Sequence, residues 1–343
     1  MMNNKIALVI PYFGKLPNWF DLFLLSCGNN SSIHFILFTD DESSFNYPAN
    51  FKVVYLKFSE LQQLFKSKLN DEAIYIGHPY KLCDYRPCYG LVLSDYLSEY
   101  DFWGHCDIDL IFGDIEKYLS KIELANFDRL FPYGHFSLYR NIEKVNNAFR
   151  IKLGKKYPKV FDFDFVSKTT YPCYFDEVGV NLIFKRDEFT FYEKFFSANV
   201  NMYFKRFRLG AGRYDAHTLL LYKNKSVYEY KKKKSIEVKE YMYIHLQNRK
   251  DIQFYHDIEN DFIMSDEKFI PFDEDKLDFY FDSIGTKESE EEQRAYSEKL
   301  NKSLKNKSKD KFINELRYKK IKIVSSIINR YLAVKYLKNN NVK

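Results

Sequence analysis

The chain is poor in several features that would assign it to a special class. No stretch approaches the ~18 apolar residues that a membrane-spanning helix needs. The apolar run in the opening MMNNKIALVIPYFG is too short for a signal-peptide core and is followed by proline and glycine, so it reads as a first strand. Cysteines number only five, an odd count without zinc-ribbon spacing, which predicts free thiols in a reducing compartment. There is no internal repeat, and the first strand lacks the glycine-rich basic loop that nucleotidyltransferases tend to use. The expectation is a cytoplasmic protein.

Aromatic residues, by contrast, are abundant: 33 Phe and 29 Tyr in 343 residues supply ample core for one large α/β domain or a domain plus an appendage. The net charge of +6 is unevenly spread. Residues 305–343 hold twelve Lys or Arg against Asp310 and Glu315, which leaves the preceding chain slightly acidic. A body built to bind nucleic acid is therefore not expected.

Lys5–Phe13, Ile33–Thr39 and Phe51–Lys57 read as buried strands. Asn18–Ser26 reads as a helix, and Ser59 as the cap of another through Lys68. Pro87 is placed to open a helix through Tyr96, and Asp101–Cys106 is the next strand. This alternation predicts an α/β fold with a doubly wound, mostly parallel central sheet flanked by helices. Ligands of such sheets bind beyond the carboxyl ends of the strands, where Tyr12, Asp40 and the Asp107 cluster fall. Further on, RLFPYGHFSLYRN reads as a strand and turn before a helix at Ile142–Ile151, and YPCYFDEVGVNLIF as a loop entering a helix. KSVYEYKKKKSIEVKEYMYIHLQNRK reads as two strands around a basic turn.

The stretch FWGHCDIDLIFGD places Asp107, Asp109 and Asp114 at the end of an apolar strand. Burying an unpaired carboxylate costs several kcal/mol, so the cluster calls for a partner: a metal ion, a basic side chain or water. An Asp-x-Asp pair at a strand end can offer oxygen ligands to a hard divalent cation, although a surface turn produces the same pattern. Asp114 starts DIEKYL as a helix cap.

With this motif and this order of elements, residues 5–250 resemble the GT-A glycosyltransferases, particularly bacterial polysaccharide-type enzymes that use nucleotide sugars. The resemblance implies that Mn²⁺ or Mg²⁺ holds the sugar diphosphate, with Asp109 as a direct ligand and Asp107 on the metal or the ribose. It implies His245 as a further ligand, with Gln247, Arg249 and Lys250 near the phosphates. Pro11 and Tyr12 would clasp the base, with Tyr12 stacked on uracil, and Asp40 would accept from its N3–H or serve as a turn residue. Lys81, Asp84 and Arg86 would contact ribose and diphosphate, or form a salt-bridged loop. Asp176 and Glu177 would supply the general base, or an acidic helix cap, and His135 would face the acceptor or sit in the core.

The implied activity is transfer of a hexose from a nucleotide sugar, a UDP-sugar first, to a glycan or lipid-linked acceptor in capsule, O-antigen or lipopolysaccharide synthesis. The alternatives are a metal-dependent phosphoryl or nucleotidyl transferase, and a non-catalytic interaction protein with a degenerate sheet. Residues 1–283 are expected to form the catalytic domain, with a nucleotide-binding half over 1–115 and an acceptor half over 116–283. Residues 284–343 are expected to form a charged linker and a basic amphipathic helical tail. Its lysines would attach the protein peripherally to the anionic inner face of the plasma membrane, or be merely solvated while its apolar face packs on the catalytic domain.

Overall fold

The computed structural model describes residues 4–155, 157–209, 217–247, 252–254, 258, 260–285 and 289–305. Its strands begin with β1 (Ile6–Pro11), β2 (Ile33–Thr39), β3 (Phe51–Tyr55), β4 (Phe102–Cys106) and β5 (Leu110–Phe112). The middle of the chain adds β6 (Arg129–Tyr133), β7 (Phe136–Arg140), β8 (Phe191–Tyr192) and β9 (Ser197–Asn199). After these come β10 (His217–Lys223), β11 (Ser226–Lys232), β12 (Ile236–Tyr241), β13 (Tyr243–His245), β14 (Phe262–Met264) and β15 (Phe269–Pro271). The fold is mixed α/β, with a large, mostly parallel sheet of seven strands flanked by helices.

Two compact units interleave along the chain. The first contains the residues up to Leu56, then Cys106–Leu124 and Lys194–Ser303. The second includes Lys57–His105 and Ala125–Glu193.

In the first unit the order is β3-β2-β1, all parallel, in register from Ile6 opposite Ile33 to Pro11 opposite Phe38. The near-continuous apolar runs of β1 and β2 are what burial on both faces of a parallel sheet selects. A small three-stranded sheet, β5-β13-β9, joins three distant pieces of chain. Asn30, buried, fastens the end of its β5: its amide donates to Ser26 O at 2.9 Å and Gly113 O at 2.8 Å, and its oxygen accepts from Ile115 N at 2.8 Å. A five-stranded antiparallel sheet, β12-β11-β10-β14-β15, buries Leu219, Leu221 and Ile263 against Tyr280 and Phe281 of the helix Leu277–Ser283.

In the second unit the order is β4-β7-β6-β8, with β6 and β7 forming an antiparallel hairpin whose register shifts between Leu130 and Tyr133. Arg129 is fully buried there, its guanidinium over the rings of Tyr139, Phe184 and Phe191 at 4.9–5.5 Å.

Several local expectations need correction. Ser59 lies inside the helix Phe58–Leu69, whose cap is Lys57; Glu60 accepts from the Lys57 N–H at 2.6 Å. The helix expected from Pro87 to Tyr96 is a 3₁₀ segment, Pro79–Cys88, followed by the short turns Tyr89–Val92 and Ser94–Leu97. Pro87 falls within it, and its missing N–H rules out an unbroken α ladder. The helix expected over Ile142–Ile151 is likewise split into Glu143–Asn146 and a 3₁₀ turn, Ala148–Arg150. All five cysteines are free. Among the described residues no helix is long and apolar enough to cross a membrane.

Candidate functional site

The turn between β4 and β5 carries Asp107 and Asp109, and β13 ends on His245. β13 runs antiparallel to β5, with His245 opposite Leu110, and the Leu246 N–H donates to Asp109 O at 2.8 Å. This pairing brings one ligand atom from each of Asp107, Asp109 and His245 within 4.8 Å of one another. His245 Nε2 lies 3.4 Å from Asp109 Oδ1, and both side chains keep only 11% of their surface exposed. On the other ring nitrogen, Asn199 Oδ1 sits 2.9 Å from Nδ1. Donation from Nδ1 to that carbonyl oxygen would leave the Nε2 lone pair facing the two carboxylates. Two anionic oxygens and an imidazole lone pair facing one point suit a divalent cation. Asp114 takes no part: it caps the helix Ile115–Leu119, accepting from Lys117 N at 2.8 Å.

Pro11 ends β1, and the loop beyond it is tied to the end of β2. Tyr12 donates its N–H to Phe38 O at 2.8 Å and its hydroxyl to Lys15 O at 3.1 Å. Gly14 has φ +97°, a left-handed backbone that favours glycine, and its N–H meets Asp40 Oδ1 at 2.7 Å. Asp41 accepts from Leu16 N at 2.8 Å and from Lys15 Nζ at 3.2 Å. Burial of Asp41 opposes ionisation, but the hydrogen bonds from Ser43, Leu16 and Lys15 outweigh it and hold the carboxyl down at about 2. One carboxylate of the FTDD run therefore fastens the loop from within, while Asp40 remains exposed.

A second group lies in the second unit. Arg86 Nη1 donates to Asp176 Oδ2 at 2.8 Å. Asp176 is 1% exposed, and its Oδ1 is buried without a hydrogen-bond partner among the described residues. Burial pushes its carboxyl up to about 7; Arg86 pulls it down, and neighbouring Glu177 adds to the rise. Glu177 Oε1 accepts from Gly134 N at 3.1 Å. A Cβ on Gly134 would meet Asp176 Oδ2 at 2.5 Å and Glu177 Cγ at 2.9 Å, so the close approach of β6–β7 to this pair requires glycine. Arg129 holds the backbone here, donating to Asp176 O at 3.2 Å. His135 is buried and stacks on Tyr133, with ring centroids 4.8 Å apart.

Lys81 and Asp84 have no exposed side-chain surface and pair at 2.7 Å. Lys81 Nζ also reaches Val166 O, Thr169 Oγ1 and Tyr171 O at 2.8–2.9 Å, and Asp84 accepts from Cys173 N and Phe175 N. The pair clips the loop that leads to Asp176 from within, with neither side chain exposed. Of the YKLCDYR run, Arg86 donates a hydrogen bond to Asp176. Gln247 follows β13 in a left-handed conformation, φ +56°. Arg249 and Lys250 lie outside the described residues.

Sequence reasoning passed over Asn199, Arg129 and Gly134. Asn199 sits on a three-residue strand too short to show a period, and the other two gain meaning only from tertiary neighbours.

The profile of a family of unknown function, DUF6625, matches residues 8–273. No curated protein sequence matches. Among solved structures, the galactosyltransferase LgtC in complex with donor and acceptor sugar analogues aligns over 56% of this chain and 75% of its own, at 9% identity and a TM-score of 0.33. The apo form of the glycosyltransferase GlyE of Streptococcus pneumoniae TIGR4 aligns over 56% of this chain and 46% of its own, at 13% identity and a TM-score of 0.32. Likenesses at that level carry no argument about chemistry, which rests on the side chains.

Proposed function

The chain belongs to the DUF6625 family, and we propose that it is a metal-dependent glycosyltransferase that moves a hexose from a nucleotide sugar to a glycan or lipid-linked acceptor. The observation that carries this reading is the convergence of Asp107, Asp109 and His245 on one point at the ends of β4, β5 and β13. Mn²⁺ or Mg²⁺ held there would offset the charge that a nucleoside diphosphate develops as it leaves. Asp109 and His245 would hold the ion, with Asp107 as a further ligand or on the ribose.

Tyr12 and Asp40, on loops of the same unit, form the base pocket, with uracil as the proposed base. Pro11 fixes the start of that loop, and Gln247, Arg249 and Lys250 supply the phosphate side. Asp176 is proposed as the group that takes the acceptor hydroxyl's proton, since a carboxyl that titrates near neutrality suits general-base work. Glu177 and Arg86 set its charge, while Lys81 and Asp84 support from within the loop that leads to it. The proposed pathway is synthesis of a bacterial surface polysaccharide on the cytoplasmic side of the membrane.

The test is a panel of UDP-, GDP- and CMP-sugars with and without Mn²⁺, read as protection against thermal unfolding. Specific binding raises stability by RT ln(1 + [L]/Kd). Protection by one nucleotide class that requires Mn²⁺ supports the reading, and absence of protection by any of them removes it.

A further inference from the structure

We propose that Asn199 is a positioning residue that fixes the tautomer and the angle of the His245 ring, and so makes Nε2 a ligand atom. The inference rests on the metal reading above and assigns a role to a residue outside the ligand set.

The three-stranded sheet places the parts. β13 lies in the middle, with β5 on one side and β9 on the other. β9 is parallel to β13, and Asn199 is the registered partner of His245. Registered partners project to the same face of a sheet, so the two side chains are held side by side. The backbone locks this register on both flanks: Met242 N donates to Phe196 O at 2.7 Å, and Val200 N to His245 O at 2.9 Å. Across this frame Asn199 Oδ1 meets His245 Nδ1 at 2.9 Å, while Nε2 looks the other way, 3.4 Å from Asp109 Oδ1.

An imidazole with its proton on Nε2 would present a donor to the ion and lose the contact with an accepting oxygen at Nδ1. A neutral imidazole has one proton to place: Asn199 Oδ1 at 2.9 Å from Nδ1 competes for it with Asp109 Oδ1 at 3.4 Å from Nε2, and the shorter contact favours Nδ1. Ligating histidines usually hold their other ring nitrogen this way, and loss of such a partner costs about 10- to 100-fold in metal affinity. Here an amide oxygen does the work of the commoner carboxylate.

The experiment uses the full chain with ¹⁵N-labelled histidine, the His245 signals being assigned by their loss in His245→Gln. Long-range ¹H–¹⁵N spectra of the metal-free protein report the tautomer, and calorimetry reports the Kd for Mn²⁺. Wild type is expected in the Nδ1–H form. Asn199→Leu is expected to lose that preference and to bind Mn²⁺ about 10- to 100-fold more weakly. Asn199→Asp, which keeps an acceptor in place, is expected to restore both. Unchanged Mn²⁺ affinity in a folded Asn199→Leu chain, or an Nε2–H tautomer in wild type, overturns the proposal. A wild-type chain that keeps the Nδ1–H form yet binds no Mn²⁺ overturns the metal reading and leaves the ring-positioning role standing.

Discussion

Arg86 and Asp176 form an ion pair at 2.8 Å in which the carboxylate is almost wholly withdrawn from water and uses only one of its oxygens. Burial outweighs the guanidinium, so the carboxyl holds its proton up to about pH 7 in the folded chain. In the unfolded chain it loses the proton near 3.9. The folded state therefore binds the proton more tightly, and this group's contribution to stability is fully present below about pH 4. It declines as the pH rises to about 7 and is constant above. Urea midpoints of wild type and Asp176→Asn, compared from pH 4.5 to 8, should differ by an amount that changes with pH in this sense. If Asp176 is the base, kcat/KM should rise through about pH 7 in wild type, and the variant should lose that limb.

Asp109→Ala should abolish Mn²⁺ binding and transfer while leaving the fold intact, because the residue lies at a strand-end turn beside polar groups and not in the apolar core. Calorimetry with Mn²⁺ and a thermal scan check the two halves separately. Transfer that persists in EDTA, or in this variant, rules out the metal.

Lys81 and Asp84 are expected to matter for stability first. Asp84→Ala leaves the Lys81 ammonium buried among carbonyls and a hydroxyl, and should cost about 3–5 kcal/mol by urea unfolding. The double replacement Lys81→Met with Asp84→Leu removes both charges and should cost less than the single one. Additive losses would mean that the pair is not coupled.

Gly134→Ala forces a methyl group against the buried carboxylate of Asp176 and should cost about 1–3 kcal/mol. Because the displaced atoms belong to the Arg86–Asp176 pair, activity should fall well beyond what the loss of folded protein explains. Activity per folded molecule, with folding measured by circular dichroism, checks this.

The basic tail lies outside the described residues. The helix Glu290–Lys305 before it is tied to the first unit, with Tyr296 donating to Met202 O and Gln293 to Tyr203 O. A chain ending at Lys305 is therefore the proper truncation. If the tail docks on anionic membrane, the intact chain should sediment with phosphatidylglycerol vesicles and release them at high salt, and the shortened chain should not bind. Failure of the intact chain to sediment removes the membrane role.

The grouping of Asp107, Asp109 and His245, which could hold a metal ion, was legible because each half of it is local. Asp-x-Asp and the His245 run each sit at the end of an apolar strand, and strand ends can be read from hydrophobic pattern. The parallel strands β1, β2 and β3 were legible for the same reason. The Arg86–Asp176 pair was not, since its members are ninety positions apart and nothing local marks either as the other's partner. The burial of Lys81 and Asp84 was not legible because charged residues are normally solvated, and only tertiary structure reveals that four acceptors enclose the lysine. The five-stranded antiparallel sheet escaped in part because β14 and β15 are three residues each, too short to show alternation.

The small sheet β5-β13-β9 also bears on how the chain reaches its working form. Its strands come from around residues 110, 198 and 244, so none of them can pair until most of the chain exists. Contacts of that sequence separation close late, after the local hairpins and helices have formed. The strand that delivers His245 lies in the middle, and its absence would leave β5 and β9 without a common neighbour. If the group binds an ion, its capture would then report completed assembly, and a chain interrupted before β13 would carry both aspartates without His245.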